Sequence, residues 1–142
     1  YLERAHINSI STSMKALTVS IFLILFLGAA LSGEAQKIGL PQPDFKKDML
    51  TAFDPGADLG LNDDQRMELM ERNNTFLDKV IDIAGGPGTD TSKMIKINDM
   101  VSDRGEVMES LLGKDAMKKY KKKVKKSIKP YKSKYKLAKL VI

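Results

Sequence analysis

Six apolar residues near the C-terminus, Met117, Tyr120, Val124, Ile128, Tyr131 and Tyr135, are spaced 3, 4, 4, 3 and 4 apart. At about 100° per residue they fall within an arc of about 80°, the mark of a helix with one buried side. The stripe keeps its phase through Pro130, so the spacing predicts a single kinked helix over 115–140. No segment after residue 36 shows the period-two alternation of a half-buried strand. A chain patterned in this way has to fold by packing helices on helices.

Three further helices are predicted before it. The two prolines of 36–43 argue against early regular structure. Asp44 can cap a short helix over Phe45–Phe53, which Asp54-Pro55-Gly56 stops. Asn62-Asp63-Asp64-Gln65 fits a capping box, in which Asn62 accepts from a first-turn N–H and Gln65 reaches back. The stripe of that helix is Leu69, Met70, Phe76, Leu77, Val80, Ile81 and Ala84, interrupted by Asn73. Gly85-Gly86-Pro87-Gly88 ends it. Asp90 or Thr91 can cap the next helix, Ser92–Leu112, with Met94, Ile97, Met100, Val101, Met108, Leu111 and Leu112 on one side. Arg104 and Gly105 fall in its middle, and Gly113 stops it. The short linkers favour antiparallel neighbours. The expected fold is all-α: an antiparallel helical bundle or extended helical hairpin, with three main helices plus one short N-terminal helix.

Residues 14–35 read as a secretory signal peptide. Met14 and Lys15 form a short positive region, Leu17–Leu31 an apolar core, and Gly33 and Ala35 a small-x-small cleavage site before Gln36. Residues 1–13 read as upstream sequence outside the fold. The mature part, 36–142, is then one all-helical domain, expected in the periplasm or secreted and not integral to the membrane after cleavage. The sequence has no Cys, so neither a disulfide nor thiol acylation is available.

The only His is His6, ahead of the leader. The mature part therefore lacks both imidazole and thiol, which removes Ser-His-Asp chemistry and His or Cys metal sites. Carboxylates and lysines remain, but the six mature aromatics offer little for a deep substrate pocket. Asp54–Asp64 looks superficially like a calcium loop, yet Leu59 stands where the turn glycine belongs and no Glu closes it. The reading is a non-enzymatic protein with no cofactor and no metal.

Charge is segregated. Residues 114–142 hold thirteen Lys and one acid, Asp115, for +12, while 36–113 hold nine bases and fifteen acids, for −6. One reading is a solvated helix face. The other is a client- or anion-binding surface made of Lys118, Lys122, Lys125, Lys126, Lys129 and Lys132. Its partners would be unfolded polypeptides or anionic envelope components such as lipid head groups or lipopolysaccharide. Nucleic acid is disfavoured: the basic segment has no Arg, and its tyrosines sit in the apolar stripe. The mature part has seven Met, most at core-phase positions, where gap-filling is the expected role.

Leu59-Gly60-Leu61-Asn62-Asp63-Asp64-Gln65-Arg66 resembles the L-T-x-x-Q signature of the Spy/CpxP-like periplasmic proteins, with Asn62 in place of Thr. Leu61, Asn62 and Gln65 carry the likeness. Leu112-Gly113-Lys114-Asp115-Ala116 matches a second copy in position but has neither Thr nor Gln. The leader is similar to those of Bacteroidetes exported proteins. The resemblance implies a cradle-like antiparallel helical homodimer that binds unfolded clients without ATP or senses envelope stress.

Overall fold

A computed structural model describes residues 37–142, which contain five α-helices, one short 3₁₀ helix and, among the described residues, no strand. The helices are α1 (Phe45–Ala52), α2 (Asp63–Gly85), α3 (Asp90–Leu112), α4 (Lys114–Ser127) and α5 (Tyr131–Lys134); the 3₁₀ helix is Lys136–Lys139. The all-α bundle follows the sequence pattern. The leader assigned to 14–35 and the upstream stretch 1–13 lie outside the described residues.

The capping box of α2 is formed on both sides. Asn62 Oδ1 accepts from Gln65 N–H at 2.8 Å, and Gln65 Oε1 accepts from Asn62 N–H at 3.2 Å. Two other caps differ from expectation. Asp44 makes no side-chain cap to α1; its backbone is already helical, which turns the side chain from the free N–H groups. For α3 the cap is Thr89, whose hydroxyl accepts from Ser92 N–H at 3.2 Å, so the helix starts at Asp90, two residues earlier than expected, with Asp90 and Thr91 inside its first turn.

α2 and α3 run antiparallel. Gln65, in the first turn of α2, donates through Nε2 to Leu111 O at the end of α3, at 3.2 Å. Lys93, near the start of α3, is buried and donates to Ala84 O in the last turn of α2, at 3.0 Å. That carbonyl has no partner within its own helix, so the ammonium both satisfies it and suits the negative helix end. Gly113 is shared by the end of α3 and the start of α4, so α4 folds back over the pair with no linker to spare.

The C-terminal segment corrects the single helix predicted over 115–140. α4 ends at Ser127, with Ile128 as its C-cap. Pro130 has no N–H to offer Lys126 O, and its ring crowds that carbonyl, so the chain tightens into a turn instead of kinking. Tyr131 N–H bonds Ile128 O at 3.0 Å and α5 lasts one turn. A second break falls at Tyr135, whose backbone is extended. The stripe still marks burial: Met117, Tyr120, Val124, Ile128 and Tyr135 are buried and Tyr131 is half-buried. Leu137, Ala138 and Val141 join the core beyond the second break, outside the helical phase.

The second break has a tertiary cause. The Tyr135 ring meets Phe45 of α1 edge-on, with centroids 5.4 Å apart. Its hydroxyl donates to Asp48 Oδ2 at 2.6 Å, and Lys134 Nζ reaches the same oxygen at 2.8 Å. These two hydrogen bonds hold the Asp48 carboxyl below its usual 3.8, Lys134 contributing more. The sign follows: Asp48 favours the folded state above pH 3.8, and the contribution is lost as pH falls through the lower folded-state value. Asp48→Asn should therefore lower stability at pH 7 and flatten its fall between pH 4 and 2, read by urea midpoints across that range. An unchanged acid limb would mean that Asp48 does not anchor the C-terminal segment.

Candidate functional site

Of the six lysines expected to form an anion-binding surface, the structure brings three together. Lys118, Lys122 and Lys125 lie on one side of α4 and line a concavity of about 470 Å³ with Lys114, Lys121 and Glu109, over the buried Met117. Lys126 is exposed on the last turn of α4, outside that lining, and Lys129 is exposed in the turn beside Pro130. Lys132 sits in α5 beyond the break and is half-buried, so it does not extend the row. Lys114 and Lys121 went unnoticed in the sequence, although 114, 118, 121 and 125 follow the 4-3-4 spacing of one helix face. Among the described residues none of the five lysines of the row makes an ion pair.

The remaining lysine on the inner side of α4 has a structural task. Lys123 Nζ donates to Pro55 O at 2.8 Å, and Arg66 Nη1 donates to Gly56 O at 2.8 Å. These two cations pin the loop between α1 and α2. Gly56 has φ +64°, a left-handed backbone that other residues rarely adopt, so the turn favours glycine.

A buried polar cluster joins α1, α2, α3 and α4. Asn73, 2% exposed, donates through Nδ2 to the Tyr120 hydroxyl at 3.0 Å and accepts from Arg104 Nη2 at 2.6 Å. The Tyr120 hydroxyl donates to Phe53 O at 2.9 Å, a carbonyl at the end of α1 with no helical partner. The Arg104 guanidinium lies 4.6 Å from the ring centroids of both Phe53 and Phe76. Its Nε has no hydrogen-bond partner among the described residues. Burial pulls the Arg104 guanidinium below its ordinary range and pushes the Tyr120 hydroxyl up, with the guanidinium partly opposing the latter. The cluster explains why Asn73 interrupts the α2 stripe: it faces the core and is occupied there.

A groove of about 800 Å³ runs between α2 and α3 above this cluster. Its floor includes Phe76, Met100, Met108 and Arg104, and its edges carry the acids Asp64, Glu68, Glu71 and Asp103 with the bases Arg72 and Lys79. Met67 is 65% exposed and Val107 42% exposed at its lip. Met70, expected in the core, is 54% exposed, because Asn73 and Phe76 take the inward phase of α2. Met49, Met108 and Met117 are the methionines that fill the core.

The motif residues Leu61, Asn62 and Gln65 act locally: Leu61 packs against the core, and the other two cap α2 and tie it to α3. At the second motif position, Gly113 makes no side-chain cap to α4. Comparison of the chain with protein-family models, curated proteins and solved structures finds no match. Among the described residues no helix is long and apolar enough to cross a membrane.

Proposed function

We propose that the mature part is a non-enzymatic exported protein that captures unfolded polypeptides or anionic envelope components on the lysine face of α4, as an ATP-independent chaperone or envelope-stress protein does. The observation that carries this reading is the row Lys114, Lys118, Lys121, Lys122 and Lys125, which shares one concavity with Glu109 as its single acid. Unpaired like charges gathered on one face create a local positive potential that speeds encounter with acidic partners. The likeness of residues 59–66 to the Spy/CpxP-like signature and the leader pattern support the same reading. A homodimer is implied by that likeness and not by the lysine row.

A second reading, a small structural protein that binds no client, draws on a different observation. Tyr120, Tyr135 and Met117 are buried in the protein's own core and leave no apolar residue on the lysine face for a client.

The two readings separate on one variant. Replacing Lys118, Lys122, Lys125, Lys126 and Lys129 with Gln should keep helicity, since all five are exposed and Gln is a good helix former. Suppression of aggregation of reduced α-lactalbumin, an acidic client, should weaken about tenfold, because five exposed contacts at ~0.3 kcal/mol each sum to about 1.5 kcal/mol. Added salt should mimic the loss in the parent protein. Undiminished suppression by the variant would favour the structural reading.

A further inference from the structure

We infer that the groove between α2 and α3 is a docking site for a cationic amphipathic helix of another polypeptide. This is a second site, distinct from the lysine face, and it selects partners of the opposite charge. The groove extends from Asp64 to Lys79 along α2, about 22 Å at 1.5 Å per residue, which fits about four turns of a bound helix. The floor sets Phe76, Met100 and Met108 beside the Arg104 guanidinium, and the lip leaves Met67 mostly, and Val107 partly, in water. Methionine adapts its shape to a partner at small energetic cost, so such a lining accepts varied apolar side chains.

The charge at the edges decides the partner. Asp64, Glu71 and Asp103 are without an ion-pair partner among the described residues, while Glu68 is held by Arg72. Among the described residues Lys79 is the one base on the edges left unpaired, Arg72 being held by Glu68, and Arg104 is committed to Asn73 in the floor. Basic side chains flanking an apolar stripe therefore complement both edges at once, the helix-in-groove mode of recognition. A second copy of this chain fits less well. Its α4 supplies lysines, but the apolar stripe of that helix, Met117, Tyr120 and Val124, is buried in its own core. It would bring charge without anything to cover the methionine floor.

The test is fluorescence anisotropy of the full chain with a labelled four-turn peptide, Leu at i, i+3, i+4 and i+7 and Lys elsewhere. Saturable binding is expected. Glu71→Lys with Asp103→Lys should weaken it at least about tenfold, in line with the cost of opposing like charges across an interface. Met67→Gln with Val107→Gln, which leaves the charges alone, should weaken it several-fold. The lysine-face variant of the preceding section should bind the peptide as the parent does, so failure of this site and failure of the lysine-face reading are told apart. Equal binding of a scrambled peptide of the same composition would overturn the proposal, as would absence of saturable binding. Indifference to both groove variants would do the same. A homodimer that dissociates on the charge reversal would also overturn it, by showing a second copy in the groove.

Discussion

Asn73→Leu should destabilise the protein by about 2–4 kcal/mol, the range for stranding buried partners of a hydrogen-bonded polar group. The change leaves Arg104 Nη2 without its 2.6 Å acceptor, in a guanidinium whose Nε already lacks one among the described residues. Arg104→Met alone should cost less, because Asn73 keeps Tyr120 as a partner and the Met sulfur can rest against Phe53 and Phe76. Combining the two should recover most of the loss, since the Tyr120 hydroxyl still serves Phe53 O and nothing polar is then orphaned. Guanidinium denaturation of the four proteins in the cycle gives the coupling directly. Additive effects would mean that Asn73 and Arg104 are not one unit.

Val124→Asp should remove about 3–5 kcal/mol, a large part of the ~5–10 kcal/mol available to a domain of this size. Val124 is 5% exposed in the middle of the α4 stripe and belongs to the hydrophobic core. Lys125→Asp, one position round the helix and exposed, should change stability by no more than about 0.5 kcal/mol. Thermal unfolding followed by circular dichroism distinguishes them. If both variants melt as the parent does, α4 is not part of the core and the charge segregation has no structural basis.

These two predictions fall on residues that the sequence revealed unequally. The position of Val124 was legible because a stripe at helical spacing reports burial directly. The same stripe misled on continuity: Ile128 and Tyr135 are both buried although the chain breaks at Pro130 between them and again at Tyr135, and periodicity cannot distinguish one helix from short pieces that return to the same face. Leu137, Ala138 and Val141 were invisible because their burial depends on Tyr135 docking against α1. The capping box at Asn62 needed only four residues and was fully legible. The α3 cap was less so, since Thr89, Asp90 and Thr91 have similar chemistry and only the backbone at Thr89 is extended in the right way. Asn73 and Arg104 did leave a signal, as polar residues set within two apolar stripes, but their pairing across 31 positions exists only after the helices pack. The lysine row was half legible. Composition marked the segment and the 4-3-4 spacing held Lys114 and Lys121 in the row, while the break at Pro130 decided that Lys132 would leave it.

The central claim is that one small bundle presents two binding faces of opposite character, and amide chemical-shift mapping by NMR tests it most directly. Titrating the full chain with reduced α-lactalbumin should perturb amides of α4 around Lys114–Lys125, and the basic amphipathic peptide should perturb α2 and α3 around Glu71 and Asp103. The two sets should be separate, and salt should shrink both. Perturbations that appear on the same residues for both ligands, or that follow neither face, would contradict the account.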